Sequence, residues 1–226
     1  FNQKDWRGVN ELLDDPRWSG YDVPPTSNAN YGWILNMVSK LSQNGVAGFI
    51  LANGALSGGG EEYKIRKKLI ENDLVESIVI LPRNLFYTTD ISVTLWILNA
   101  NKKQREFEQN GKTKIHRDRT NEILFMDLRQ KGVPFEKKFT QFDDATVEEV
   151  TNTYHVWQSN KEAYEDIAEY CYSASKDEVE KKDYSLVPSK YIEFVNRDEN
   201  IDFDTKMTTL QSEFVELLKE EEKSKQ

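Results

Sequence analysis

The chain has 226 residues, of which 38% are hydrophobic, and this is enough apolar material for one core, or for one domain with an appended helical segment. The formal net charge of -9 repels a phosphate backbone, so any contact with DNA is expected to need a partner. One cysteine and two histidines exclude an internal disulfide and argue against a metal site, while the lack of a long apolar run or a signal segment predicts a cytoplasmic chain without a membrane span.

A loop, a helix and a strand are the first predicted elements. Residues 15–25 mix proline, glycine and aromatic residues without a period, which indicates an ordered loop. A helix follows, with Asn44 and Gly45 as its expected carboxyl cap. Residues 45–53 form a short apolar run between turn signals, the pattern of a parallel strand covered on both faces. The predicted helix buries the stripe Ile34, Met37, Val38 and Leu41.

A second helix and strand complete a crossover unit. Residues 63–72 predict a helix that buries Ile65, Leu69 and Ile70 and turns its lysines outward. Residues 75–81 are again an apolar strand. This strand-helix-strand order indicates a right-handed crossover in a doubly wound sheet.

Two further strands are predicted on either side of a polar stretch. Residues 91–98 and 123–128 carry the strand patterns, and we expect these two strands to pair as an antiparallel hairpin. The polar stretch at 99–122 would form the hairpin tip. It is the most basic part of the chain and contains Lys102, Lys103, Arg105, Lys112, Lys114, Arg117 and Arg119.

Helical patterns dominate after about residue 134. Capping boxes at 146–149 and 159–162 predict two helices packed back to back, with Cys171 as a core thiol on the second. A last helix is predicted over 204–223, with an apolar stripe so narrow that the helix is expected to need a partner. The stripe consists of Met207, Leu210, Phe214 and Leu217.

Several segments, in order and spacing, carry a family resemblance. They are Asp-Pro-Arg-Trp at 15–18, Asn-Ala-Asn-Tyr-Gly-Trp-Ile at 28–34, Gly-Phe-Ile-Leu-Ala-Asn-Gly at 48–54, Ile-Arg-Lys-Lys-Leu-Ile-Glu at 65–71, Leu-Pro-Arg-Asn-Leu-Phe-Tyr-Thr-Thr at 81–89, Leu-Trp-Ile-Leu at 95–98 and Tyr-Ser-Leu-Val-Pro-Ser-Lys-Tyr at 184–191. Together they make the chain similar to the modification subunits of type I restriction-modification systems.

The resemblance implies a fold and an activity. The fold would be α/β, the carboxyl-terminal half of a class I (Rossmann-like) methyltransferase sheet at 1–134, followed by a helical tail at 135–226. The activity would be transfer of a methyl group from S-adenosylmethionine to adenine N6 in DNA. Phe1 looks like the aromatic end of an Asn-Pro-Pro-Phe motif, and it would stack on the extruded adenine. The alternative is that Phe1 is simply a hydrophobic residue that enters the sheet. The cofactor motif is not visible, so the isolated chain is expected to be inactive and to bind no cofactor.

The resemblance also implies site residues for the target base. Asn84, Phe86 and Thr89 follow a strand end and would form the far wall of the base pocket. The alternative is that Asn84 serves a turn and that Phe86 fills the core. Lys102, Lys103 and Arg105 would lie near DNA. The alternative there is that charge only keeps a long hairpin tip soluble, since acidic residues are interspersed.

The implied partners are a specificity subunit, a second modification subunit, a restriction subunit and double-stranded DNA. The stripe of the last helix would dock against helices of the specificity subunit, which would supply the DNA affinity that an acidic chain lacks.

Four other interpretations compete with this one. The chain could be a non-enzymatic assembly module, or an unrelated Rossmann protein that binds a nucleotide at its first strand-to-helix turn. Residues 55–59 are weakly similar to a hydrolase nucleophile elbow, but the first glycine is absent and neither histidine suits a triad. Glycines at 58–60 could cradle a phosphate, but Glu61 and Glu62 would repel it.

Overall fold

The computed structural model describes residues 6–195 and 202–224, and Phe1 lies outside this described part. Two compact units divide the chain, at 1–193 and 194–226. The first unit contains helices α1 (Asn30–Val38), α2 (Gly60–Glu71), α3 (Asp144–Ser159) and α4 (Lys176–Lys181), and strands β1 (Val46–Ala52), β2 (Val75–Ile80), β3 (Val93–Asn99), β4 (Arg105–Gln109), β5 (Lys112–His116), β6 (Glu122–Asp127), β7 (Val133–Phe135), β8 (Phe139–Gln141) and β9 (Cys171–Ser175). The second contains helix α5 (Phe203–Ser224).

A mixed five-stranded sheet in the order β1-β3-β2-β6-β9 forms the centre of the first unit. Strands β1, β2 and β6 run in one direction, because β3 is antiparallel to both β1 and β2 while β2 and β6 are parallel. β9 is antiparallel to β6 at the other edge. The predicted α/β class is confirmed. The connection from β1 through α2 to β2 exists, but it spans β3 rather than joining adjacent strands.

The predicted hairpin between the strands at 91–98 and 123–128 is wrong. β2 lies between β3 and β6, so these two strands do not touch. The polar stretch between them forms its own two-stranded hairpin, β4–β5. Asn110 and Gly111 at its turn both have positive φ, 52° and 70°, as the two central residues of a type I′ turn require. A local turn of this kind fixes the hairpin without help from the sheet.

Two apolar layers cover the sheet. On one face α1 and α2 contribute Ile34, Leu35, Ile65 and Leu69 to a core around Trp96, all of them fully buried. On the other face α3 packs Trp157 against β6 and β9. β2 is buried at every position, including its two polar residues, as befits a strand covered on both faces. β1 differs from the prediction of a strand covered on both faces, since Val46 and Ile50 are 53% and 42% exposed.

The segment after residue 134 contains more strand than predicted. α3 begins at Asp144 with Asp143 as its cap, whose carboxylate accepts from the Thr146 amide, so the box at 146–149 is not the cap. The predicted second helix from Ser159 to Cys171 is wrong. α3 ends at Ser159, residues 160–170 are mostly turns, and Cys171 begins β9 with a buried thiol. The residues from β7 to Glu193 thus belong to the same compact unit as the sheet, and the unit boundary lies at 193/194.

The predicted buried face is confirmed for α2 and only in part for α1, and both helices differ from the prediction in their ends. Ile34 is fully buried, but α1 ends at Val38 with Ser39 as its cap, so Leu41 and the Asn44–Gly45 pair lie beyond it. α2 begins at Gly60, earlier than predicted. Buried Arg66 on α2 donates to the carbonyl of Tyr184 at 2.8 Å and so ties the segment before residue 193 to the first core.

The second unit is the predicted last helix. α5 spans 22 residues, and Met207, Leu210, Phe214 and Leu217 are exposed by 40%, 50%, 61% and 63%. Within the described ranges, no helix combines the length and the apolar character that a membrane crossing requires.

Candidate functional site

The carboxyl ends of three strands that run in the same direction define one edge of the sheet. β1 ends at Ala52, β2 at Ile80 and β6 at Asp127. In open α/β sheets, ligands bind in the crevice outside this edge. The loop 81–92 after β2 and the hairpin β7–β8 after β6 lie here. The amide of Thr140 on β8 donates to the carbonyl of Asn84 at 3.0 Å and joins the two segments. We call this region the carboxyl-edge site.

The three residues predicted for the base pocket all lie in this loop, with different environments. Asn84 has a φ of 58°, a left-handed conformation that asparagine tolerates, so it also serves the turn. Phe86 and Thr89 form an isolated bridge, and the Thr89 amide donates to the Phe86 carbonyl at 3.3 Å. Phe86 packs against the core between the sheet and α3. Turn and core roles therefore account for part of this motif.

The exposed aromatic ring of the loop is Tyr87, which the sequence analysis did not select. The Tyr87 side chain is 72% exposed, and its ring lies edge-on to that of Phe139 on β8, with the ring centroids 4.8 Å apart. Its neighbour Phe86 packs against the core instead. The Phe-Tyr pair at 86–87 was the sequence feature from which an exposed aromatic ring could have been predicted.

A basic depression of about 650 Å³ adjoins the loop. Five cations line it without a carboxylate among the lining residues, namely Arg83, Arg129, Lys131, Lys137 and Lys138. Three of them already have acidic partners: Arg83 lies 3.7 Å from Asp90, Arg129 2.5 Å from Asp127 and Lys131 2.6 Å from Glu149. Lys137 and Lys138 at the hairpin turn are exposed. Their position depends on the β7–β8 hairpin, which the sequence analysis did not predict.

The residues predicted to lie near DNA are at the opposite end of the sheet. Lys102 lies at the amino ends of β2 and β6, where its ammonium donates to the carbonyls of Val75 and Glu122. Its side chain is 0% exposed and pairs with Asp73 at 2.6 Å. Burial lowers the pKa of Lys102, and the charge of Asp73 opposes that shift. The prediction that Lys102 contacts DNA is therefore wrong, because Asp73 and two backbone carbonyls already enclose its ammonium group.

Lys103 and Arg105 differ from Lys102 in accessibility. Lys103 is exposed and Arg105 is half-buried at the start of β4. Both remain predictions as DNA-proximal residues, but at an edge separated from the carboxyl-edge site by the length of β2, about 20 Å at 3.3 Å per residue.

Neither the basic depression nor the apolar groove of the first unit fits S-adenosylmethionine. The groove, about 270 Å³, lies between the second sheet face and α3, and no charged residue lines it. A ligand with a sulfonium, a carboxylate and an ammonium group needs polar partners there. The depression is lined by cations and would repel the sulfonium. We therefore assign no cofactor role to these two cavities.

The competing sites at the first strand-to-helix turn lack the necessary geometry. Ser57 follows the carboxyl end of β1, whereas His116 and His155 line a cleft at the β4–β5 hairpin. A nucleophile and a base on opposite edges cannot form a triad. Gly58 uses its carbonyl to accept from Arg66 at 2.7 Å, and Glu61 and Glu62 occupy the first turn of α2, where they disfavour a phosphate. Among the residues in the described ranges, no cluster suited to a metal ion is found.

Comparison with known proteins agrees with this architecture. A family model described as N-6 DNA Methylase matches residues 1–200. The Type I restriction enzyme HindI methylase subunit of Haemophilus influenzae is 37% identical over 223 residues, which cover 98% of this chain and 45% of that protein. The MjaIX methylase subunit of Methanocaldococcus jannaschii is 33% identical over 229 residues, or 99% of this chain and 38% of that protein. The chain thus spans less than half the length of these relatives.

A solved structure shares the fold. The type I restriction-modification system methyltransferase subunit from Streptococcus thermophilus superposes with a TM-score of 0.70 at 28% identity, covering 86% of this chain and 36% of that one. The family match over residues 1–200, the curated relatives and this structure point in the same direction. The chain belongs to the N-6 DNA methylase family, among proteins similar to the methylase subunits of type I restriction enzymes.

Proposed function

We propose that the chain is the trailing part of the catalytic domain of a type I modification subunit that methylates adenine N6 in DNA. The observation that carries this proposal is the 37% identity to the HindI methylase subunit along 98% of the chain. Because the chain spans only 45% of that relative, the remainder of the domain would come from a further stretch of protein.

The outer edge of β1 is where the remainder would join. Among the described strands β1 pairs only with β3, so its other edge carries free backbone groups. Val46 and Ile50 on its uncovered face are 53% and 42% exposed. An exposed apolar edge strand is prone to aggregate unless another strand or a helix covers it. A further strand beside β1 would extend the sheet and bring its own strand end to the carboxyl edge.

The carboxyl-edge site would receive the target adenine. Enzymes that modify a base extrude it from the duplex and stack it on an aromatic surface. Tyr87 offers such a surface, while Asn84, Phe86 and Thr89 would hold the loop that presents it. The neighbouring depression, with Lys137 and Lys138 at its rim, would bind phosphates of the extruded strand. Phe1 would be a second stacking residue.

S-adenosylmethionine is the methyl donor that this family uses, and we place its pocket in the protein that extends the sheet beyond β1. This follows from the poor chemical fit of the depression and the groove. The chain by itself would hold and orient the base without transferring a methyl group.

The net charge and α5 support the partners that the family resemblance implies. With a net charge of -9, the chain would depend on a specificity subunit for most of its DNA affinity. The exposed stripe Met207, Leu210, Phe214 and Leu217 would pack on helices of that subunit. A second modification subunit and a restriction subunit would complete the assembly, which would act on double-stranded DNA in the cytoplasm.

A methyl-transfer assay tests the proposal. The 226-residue chain and the complete subunit read from its gene are each combined with the specificity subunit, labelled S-adenosylmethionine and adenine-containing duplex DNA. We expect label in DNA with the complete subunit and none with the 226-residue chain. Methyl transfer by the 226-residue chain would contradict the proposal that the cofactor pocket lies in the protein beyond β1. No transfer by the complete subunit would favour the assembly module instead.

The base-binding step has its own test within the complete subunit. Tyr87→Ala should weaken transfer by removing a stacking surface worth roughly 1 to 3 kcal/mol, while Tyr87→Phe should retain it. Equal losses for both variants would exclude stacking as the role of Tyr87.

A further inference from the structure

A second cleft lies at the β4–β5 hairpin, at the amino ends of β2 and β6 and away from the carboxyl-edge site. The hairpin and the last turns of α3 enclose about 500 Å³. We call it the hairpin cleft. Its lining includes Arg105, Phe107, Lys114, His116, His155 and Gln158, and no carboxylate.

The alternation of the two strands sorts the hairpin charges onto opposite faces. Arg105 pairs with His116 across the strands, and Phe107 pairs with Lys114, so these four side chains share the face that lines the cleft. Glu106 and Glu108 occupy the alternate positions of β4 and therefore point to the other face. In the sequence these acids are interspersed among the basic residues. In the folded hairpin they leave the cleft face cationic.

Several buried nitrogen atoms around the cleft lack a hydrogen-bond partner within the described ranges. They are Nε of Arg105 and Nδ1 of His116, on two residues that line the cleft, and Nη2 of Arg119, which is fully buried and does not line it. Buried polar atoms in folded proteins nearly always have a partner. Two such nitrogens, on a guanidinium and an imidazole that line one cleft, favour a ligand with acceptor oxygens.

Neighbouring groups hold the two guanidinium donors in place. The guanidinium of Arg105 lies 5.6 Å from the Phe107 ring centroid, and that ring lies edge-on to His116 at 4.7 Å. Arg119 donates from Nη1 to the Gln158 carbonyl at 3.4 Å and from Nε to Glu76 at 3.0 Å. Glu76 is fully buried and does not line the cleft. The charges of the cleft wall are thus not cancelled by an acid within it.

Electrostatics at His116 agree with this picture. Burial lowers the pKa of His116 to about 4, and the charges of Arg119, Arg105 and His155 add to the shift while Glu76 opposes it. The imidazole is therefore neutral near neutral pH in the free protein. An anion beside it would favour the protonated form.

We propose that the hairpin cleft binds a phosphate group carried by a nucleic acid or a nucleotide. Arg105 and Lys114 supply the charge, and His116 and Gln158 supply hydrogen bonds. Tetrahedral phosphate oxygens suit this set, because a guanidinium and separate point donors can approach them from different sides. The cleft does not depend on the methyl-transfer proposal, since it lies at the opposite edge of the sheet.

Nuclear magnetic resonance of the histidine side chains tests the proposal on the full 226-residue chain. The chain has only two histidines, His116 and His155, and both line the cleft. We expect saturable shifts of the His116 signal on titration with inorganic phosphate, adenosine 5′-monophosphate or a short DNA duplex, and a raised pKa of His116 in the complex. Saturation at lowest concentration by the duplex identifies a backbone phosphate. Saturation at lowest concentration by the mononucleotide identifies a small ligand.

Matched variants distinguish the cleft from general charge attraction. Arg105→Gln should weaken binding by about tenfold, as loss of one charge-assisted contact does. Lys114→Gln, at an exposed position, should also weaken binding without disturbing the fold. Lys64→Gln on α2 removes the same charge elsewhere and should leave the titration unchanged. The absence of saturable shifts with all three probes, or equal weakening by Lys64→Gln, overturns the proposal.

Discussion

Nε of Arg119 donates to Oε1 of Glu76 at 3.0 Å, and both side chains are fully buried. Asn99 donates to the other Glu76 oxygen at 2.6 Å, and Gln158 donates to Oε1 at 3.3 Å. The carboxylate therefore links β2, the end of β3, the segment before β6 and the end of α3. Burial of one charge requires the other, because a lone charge in an apolar interior is costly.

Replacing Arg119 by Met should destabilise the fold by roughly 3 to 5 kcal/mol, since it leaves the Glu76 charge buried without its partner. The double variant Arg119→Met/Glu76→Gln should recover part of that loss, because no charge remains. Urea denaturation monitored by tryptophan fluorescence measures both. A double variant less stable than Arg119→Met would show that the carboxylate does not need this partner.

The pH dependence of stability should carry a signature of His116. Its folded pKa of about 4 lies below the unfolded value of 6.5, so the unfolded chain binds more protons between these values. Stability attributable to neutral His116 is therefore present above pH 6.5 and lost as the pH falls towards 4. We expect His116→Gln to weaken the pH dependence of the urea denaturation midpoint between pH 6.5 and 4. His155→Gln serves as the control, and an equal change in both variants would contradict the assignment.

The exposed lysines of the β7–β8 hairpin should change the salt dependence of DNA binding. In complex with the specificity subunit, Lys137→Gln and Lys138→Gln should each reduce the slope of log K against log salt by about 0.9 if the lysine contacts a phosphate. Lys181→Gln on α4 is the matched control and should leave the slope unchanged. Fluorescence anisotropy across a salt series provides the measurement. Slopes identical to that of the unmodified chain would show that the basic depression does not contact DNA.

The apolar stripe of α5 should determine association with the specificity subunit. Leu210→Glu/Phe214→Glu places two charges on exposed apolar positions and should reduce co-purification at least tenfold, a change of about 1.4 kcal/mol or more. Thr209→Glu/Ser212→Glu adds the same charges to polar positions of the helix and should have little effect. Similar losses in both variants would indicate a general charge effect rather than a docking stripe.

Local patterns in the sequence predicted the individual helices and strands better than they predicted which strands pair with each other. The mostly apolar segments of β2 and β6 were sufficient to predict these strands. The stripe of Ile65 and Leu69 was sufficient to predict α2, since burial of one helix face imposes a period. Pairing was not predictable in the same way. β3 lies between β1 and β2, although all three have similar composition, and long-range order is set by the packing of the whole sheet.

The features that the sequence did not predict have weak sequence patterns, or patterns that also fit another structure. Cys171–Ser175 is a five-residue edge strand with only partial burial, and a capping box before it favoured helix. Lys102 was grouped with exposed cations because its charge is visible in the sequence, whereas its enclosure by Asp73 and two carbonyls depends on distant strands. The site residues of the 81–89 motif were placed in one loop, but their division between core and surface needed coordinates.

The insertion of β3 between β1 and β2 has a consequence for biosynthesis. As this part of the chain leaves the ribosome, β1 and β2 are both made before β3, yet neither is the other's neighbour. The first rungs of the ladder form at the start of β3, where Val93 pairs with Ala52 and Thr94 pairs with Ile80, and the ladder is complete only when the end of β3 at Asn99 has emerged. Until β3 emerges, β1 and β2 lack the neighbour that they share in this sheet, and long-range pairing of this kind leaves apolar surface exposed during synthesis.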